Sequence, residues 1–143
     1  MSNATPSVHL HLGHEQRTSG AGGTHPHLHP VKQVVQADIP LAGKAEVDEA
    51  VAKAEAVQEE WRRTLPETKR DILNRLADLI EENTAEFARM AALDGGTPLI
   101  AGERGVQLAV AWTRYYAGWC DKLTGELMST FDTRGEFSYS TPE

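Results

Sequence analysis

Apolar positions along the chain fall into six blocks whose spacing changes from two to between three and four and back. Val8, Leu10 and Leu12 alternate with His9 and His11, which predicts a short strand with its aliphatic side chains on one face. A second extended piece runs from Val31 to Ile39, where Val34 and Val35 favour a strand, Asp38 is polar and Pro40 ends pairing, as on a sheet edge. From about Ala45 to Arg63, Val47, Ala50, Val51, Ala54, Val57 and Trp61 recur at helical spacing and predict a helix with one buried stripe. Glu46, Asp48 and Glu49 crowd its first turn and Arg62 and Arg63 its last, so both ends complement the helix dipole.

Thr64-Leu65-Pro66-Glu67 has the form of a capping box and predicts a new helix, with Pro66 in its first turn. Its stripe is Ile72, Leu73, Leu76, Leu79, Ile80, Phe87, Met90 and Ala91, a helix of about 29 residues and roughly 43 Å that Asp94-Gly95-Gly96 stops and Pro98 keeps from continuing. A third helix is predicted from about Pro98 to Leu123 on Val106, Val110, Tyr116, Ala117, Cys120 and Leu123. Gly102, Gly105 and Gly118 each weaken its propensity, so tertiary packing must hold it. After Gly125 the period returns to two, and Gly135 to Thr141 reads as a strand with Phe137 and Tyr139 on one face.

The chain has 143 residues, enough for one folding unit. All six histidines lie in the first 29 residues, and Gly20, Gly22, Gly23, Pro26 and Pro30 break regular structure there. Residues 1–30 therefore form a His/Gly-rich strand-and-loop region ahead of a helical region over 31–143. The formal charge of −7 disfavours nucleic acid and anionic membrane as partners. A single cysteine, Cys120, makes no internal disulfide, and neither a signal segment nor a long apolar run is present, so a reducing, cytoplasmic setting is expected.

Several side chains suggest chemistry. Cys120 is the only thiol, but its place on a helical apolar stripe marks it as a buried filler rather than a nucleophile. His25, His27 and His29, with His9, His11 and His14, could converge on a metal, but the cysteines or helical spacing of structural zinc sites are missing, and a polar strand face with a loop is the favoured reading. Trp112, Tyr115, Tyr116 and Trp119 point in too many directions for one stripe and call for a second packing surface. Glu59-Glu60 and Glu81-Glu82 are neighbours about 100° apart on a helix, which makes them solvated surface rather than an acid–base pair. Gly20-Ala21-Gly22-Gly23 leads into Thr24-His25-Pro26 rather than a helix, so it lacks the geometry of a phosphate loop.

Taken in order, Ala45-Glu46-Val47-Asp48-Glu49-Ala50-Val51 with Trp61, Arg70 to Glu81, Leu93-Asp94-Gly95-Gly96-Thr97-Pro98-Leu99 and Arg114-Tyr115-Tyr116-Ala117-Gly118 resemble the N-terminal segment of the NAD(P)-dependent aldehyde dehydrogenase superfamily. The third of these is similar to the family's Asp-x-Gly-(Lys/Thr)-Pro turn. Phe137 to Glu143 resemble the strand leading into the dinucleotide-binding sheet, and Arg17 to Gly23 also match. One departure stands out: related chains carry Asn-Pro-x-Thr-Gly where this one has His29-Pro30-Val31-Lys32-Gln33.

The resemblance implies an α/β parent fold of which this segment, mainly α with three long helices and short strands at both ends, is the outer part. It implies a parent reaction of NAD(P)-dependent oxidation of an aldehyde through a cysteine thioester, with every catalytic and cofactor-contacting residue downstream. No residue here inherits a catalytic, cofactor-binding or metal role, and the chain alone is expected to be inactive and to bind neither NAD nor NADP. Its expected partners are the remainder of the dehydrogenase chain and further copies of it in a homo-oligomer. A small helical assembly module pairing with a full-length dehydrogenase, or a His-rich metal binder, are the alternatives. A fragment of this kind should leave a large apolar surface exposed.

Overall fold

The computed structural model describes residues 7–129 and 137–141. Its elements run β1 (Leu10–Leu12), β2 (Glu15–Arg17), β3 (Thr24–Leu28), β4 (Val35–Pro40), α1 (Lys44–Arg63), α2 (Pro66–Glu82), α3 (Thr84–Gly95), α4 (Leu99–Ala117), β5 (Leu127–Ser129) and β6 (Phe137–Tyr139). The strands form three separate antiparallel pairs, β1 with β2, β3 with β4 and β5 with β6. A mainly α segment with short strands at both ends is what the apolar periodicity called for.

The core lies where α4 packs across α2 and α3, and small side chains build it. Ala77 of α2, Ala88 of α3 and Val110 and Ala117 of α4 are buried, as is Gly102. Gly102 sits so close to α3 that a methyl group on it would lie 3.0 Å from Ala88 Cα. Arg114 of α4 ties the same helices at the surface, donating to Asp78 at 2.9 Å and Glu81 at 2.7 Å on α2.

Several sequence expectations need correction. The second helix is two, because the Asn83 amide donates to the Leu79 carbonyl at 2.8 Å and the Thr84 hydroxyl to that of Glu81 at 2.7 Å. Side chains that capture the last carbonyls of α2 compete with helix continuation, and the chain bends there. Thr64 does not cap α2: Leu65 is the N-cap residue, without a side-chain bond, and the Thr64 hydroxyl donates backwards to the Glu60 carbonyl at 2.9 Å. A carboxylate cap occurs one helix earlier, where Glu46 accepts from the backbone N–H of Gly43 at 2.8 Å. The third helix ends at Ala117, six residues before Leu123, and gives way to turns from Gly118.

Among the strands, the expected Val31–Ile39 piece is paired only from Val35, and Pro40 continues the pairing opposite Thr24. Residues 29–34 form the turn between β3 and β4, with Gln33 at φ 55° in the place where the family pattern has glycine. Glycine takes such angles without cost, whereas a side chain adds about 1 kcal/mol or more of steric strain. Strands β2 and β5 were not expected, whereas β3 carries the alternating histidines read as a polar strand face. The closing strand is present as Phe137–Tyr139, while Gly135, Glu136 and residues 142–143 lie outside the described residues.

The largest correction concerns α1. Its aliphatic stripe is not buried: Val47 is 52% exposed, Val51 61% and Val57 57%, and no residue of the helix is fully buried. The helix is held instead by its polar face.

Candidate functional site

Four charged side chains join that polar face to the first hairpin. Arg17 at the end of β2 donates to both carboxylate oxygens of Glu49 on α1, at 2.9 and 2.8 Å, and to Glu15 at 2.7 Å. Lys53, one turn beyond Glu49, bridges Glu49 at 2.8 Å and Glu15 at 3.0 Å and donates to the Leu12 carbonyl at 3.2 Å. The Arg17 guanidinium, and then Lys53, hold the Glu49 carboxyl down to about 2, while the two carboxylates push Arg17 upward. Glu49 and Lys53 stand four apart on one helix, a pairing visible in the sequence; their joint partner Arg17 is 32 residues from Glu49 and was not.

The glycine-rich loop is equally structural. The N–H of Ala21 donates to Glu46 at 2.9 Å, so a carboxylate of the chain occupies the position an anion would need. That bond, then one to the backbone of Glu46 itself and then the one from Gly43, lower the Glu46 carboxyl below its ordinary range. A side chain at Gly20 would meet the Leu41 carbonyl at 2.3 Å, which accounts for glycine there.

The histidines divide. His27 on β3 points at the end of α3, its Nε2 3.1 Å from Asp94 and its Nδ1 3.0 Å from the Gln36 amide nitrogen, which also donates to the Leu93 carbonyl at 2.7 Å. Since the amide donates, Nδ1 accepts and the proton sits on Nε2. Beside them lies a cavity of about 240 Å³ walled by Val8, Ala37, Met90 and Ala91. With both ring nitrogens engaged, His27 offers no free base to it. His29 serves the β3–β4 turn. Among the described residues no three His, Cys, Asp or Glu side chains come together as a metal site.

Cys120 lies just past the end of α4 rather than on its stripe, half-buried, with its thiol 3.8 Å from the Tyr116 carbonyl. Glu59 pairs with Arg62 at 2.9 Å and with Arg63 at 2.7 Å, and Glu81 and Glu82 point to different arginines, Arg114 and Arg75. Both carboxylate pairs are thus surface, as read from the sequence.

What remains uncovered is apolar. Trp112, Tyr115 and Tyr116 are each about three-fifths exposed, with Tyr115 edge-on to Tyr116 at 5.3 Å. An open groove of about 410 Å³ runs along α4, floored by Ala101, Gly105 and Ala109 and walled by Ile80, Phe87 and Val106. A methyl group on Gly105 would meet nothing within 4 Å. The accessible surface is 11067 Å², against about 7300 Å² for a compact monomer of this mass. These faces, together with the α1 stripe, are the candidate docking surfaces.

The model of the Aldehyde dehydrogenase family matches residues 17–143. An aldehyde dehydrogenase of Davidiella tassiana is 33% identical over 135 residues, which are 94% of this chain and 27% of that protein. The hydroxyisobutyraldehyde dehydrogenase of Mycolicibacterium austroafricanum is 32% identical over 139 residues, 97% of this chain and 27% of its own length. The solved structure of an aldehyde dehydrogenase from Bacillus cereus aligns with a TM-score of 0.81 at 29% identity, over 94% of this chain and 28% of that one. That of an NAD-dependent benzaldehyde dehydrogenase from Corynebacterium glutamicum does so with a TM-score of 0.81 at 23% identity, over 94% of this chain and 29% of that one, a likeness of fold. The chain spans about a quarter of the length of these proteins. No helix among the described residues is long and apolar enough to cross a membrane. By the match over residues 17–143 and the order of its helices, the chain belongs to the aldehyde dehydrogenase family and corresponds to its N-terminal segment.

Proposed function

We propose that this chain serves as the outer helical shell of a cytoplasmic, homo-oligomeric, NAD(P)-dependent aldehyde dehydrogenase, and that it is inactive alone. The observation that carries this reading is the docking of α1 through Glu46, Glu49 and Lys53, which leaves Val47, Val51 and Val57 exposed. Apolar stripes on α1 and α4 left bare by their own chain are surfaces for another apolar layer, and the remainder of a dehydrogenase about four times as long supplies one. In the parent, a thiolate adds to the aldehyde carbonyl, hydride leaves that carbon for NAD(P), and water hydrolyses the thioester to acid and free thiol. Residues 31–143 are assigned to the cofactor-binding domain as its helical cover, residues 1–30 to the strand-and-loop region ahead of it. Neither part contributes to the reacting centre.

The test is the intact mass of the product made from the native gene in its native host. A mass several times 15.7 kDa, with aldehyde-dependent reduction of NAD or NADP, is expected. A product near 15.7 kDa without that activity overturns the enzyme reading and turns the search to protein partners. The isolated chain is expected to self-associate or bind hydrophobic dye; a monodisperse monomer that melts cooperatively and binds none would remove the physical support.

A further inference from the structure

The turn between β3 and β4 is closed by a histidine in a role that needs its ring uncharged. His29 Nδ1 accepts the backbone N–H of Val31 at 3.2 Å and of Lys32 at 3.3 Å. The same residue anchors the turn through its backbone, its N–H donating to the Val34 carbonyl and its carbonyl accepting from Gln33 N–H, both at 2.8 Å. Gln33 is the only non-glycine residue at positive φ among those described, and its side-chain amide donates to the Pro30 carbonyl at 2.7 Å. The backbone therefore follows a tight, strained path whose two free N–H groups depend on one imidazole nitrogen.

A protonated imidazole has two donors and no acceptor. On taking up a proton, His29 would lose both bonds and turn an N–H towards Val31 and Lys32. The charged groups around the turn do not offset this. Lys32, in the turn itself, adds a positive charge, and Asp94 of α3 is engaged by His27 at 3.1 Å. On β4, the Gln36 amide is committed to His27 and Leu93.

We propose that His29 is a proton-operated cap: neutral, it closes the β3–β4 turn, and protonated, it releases it. The consequence reaches α3, because Pro30 and Val31 lie against the Gly96 cap of that helix and the hairpin is docked through Gln36 and His27. The inference rests on the turn alone and does not depend on the function proposed for the parent chain.

The experiment is amide exchange at Val31 and Lys32 in the 143-residue chain at pH 8 and 5.5, corrected for intrinsic rates, alongside NMR titration of the His29 ring. Protection at both amides should fall about fivefold to tenfold as the ring takes up its proton, the equilibrium value of one side-chain cap. In His29→Asn, whose amide oxygen accepts at either pH, protection should stay within about twofold, and in His25→Asn the native response should persist. Protection that stays constant while the His29 ring titrates, or an equal loss in His29→Asn, overturns the proposal.

Discussion

Two glycines three residues apart on α4 should respond to the same substitution with opposite signs. In Gly102→Ala the new methyl carbon would lie 3.0 Å from Ala88 Cα, 3.1 Å from Ala88 Cβ and 3.2 Å from the Ala88 carbonyl oxygen. Those atoms belong to the backbone and first side-chain carbon of α3, which cannot swing aside as a long side chain would. Overpacking of this kind costs about 1 to 3 kcal/mol, while replacing glycine by alanine inside a helix returns about 1 kcal/mol. The net expectation is a loss of about 0 to 2 kcal/mol. In Gly105→Ala the helical gain is the same and nothing opposes it within 4 Å, so that variant should gain about 1 kcal/mol. The propensity terms cancel in the comparison, which leaves the packing term: Gly102→Ala should be about 1 to 3 kcal/mol less stable than Gly105→Ala. At about 4 °C per kcal/mol for a chain of this size, the two midpoints should differ by about 4 to 12 °C. Thermal and urea unfolding followed by far-ultraviolet circular dichroism, at a concentration where association is checked, would measure this. Equal midpoints, or the higher one in Gly102→Ala, would refute the account of how α3 and α4 meet.

The clamp at Glu49 gives a pH prediction with a definite sign. Its carboxyl is held to about 2 from an ordinary 4.5, so its contribution is complete above pH 4.5 and lost as pH falls towards 2. Amide exchange over residues 10–17 should rise in that window, and in Glu49→Gln it should already be raised at pH 7; a hairpin equally protected in that variant would show that the clamp does not hold it. Relieving the strained angle at Gln33 by Gln33→Gly should raise stability by a few tenths to about 1 kcal/mol despite loss of the exposed bond to Pro30. A lower unfolding midpoint in urea for that variant would mean that the Gln33 amide outweighs the strain.

Helical period and end signals were legible because they are local. The alternation of three and four carried α1 to within a residue of its observed ends, and Gly96, at φ 70°, caps α3 where the two glycines indicated. The break at Asn83 was written in Asn83-Thr84 but overridden, since an apolar stripe can cross a bend without changing period. Thr64 illustrates the ambiguity of a hydroxyl between two helices: it can accept from the helix ahead or donate to the one behind, and donated to the latter. Which face of α1 is docked was not legible at all. A period gives the direction of the apolar stripe, not whether a layer lies opposite it, and the docking partner, Arg17, is a long-range contact. The turn at His29 departs from the family pattern, and here an imidazole nitrogen supplies an acceptor while Gln33 takes the positive φ angle.

The outward stripe of α1 also sets a timetable. A chain of the Davidiella protein's length has on the order of 360 residues still to come when this segment leaves the ribosome, and synthesis at about 5–20 residues per second takes roughly 20 to 70 s to deliver them. For that interval the charged clamp keeps α1 in place while Val47, Val51, Val57 and Trp61 face solvent. On the reading proposed above, a helix anchored early by ions and covered only by later parts of the chain would leave aliphatic surface open to chaperones until those parts are made.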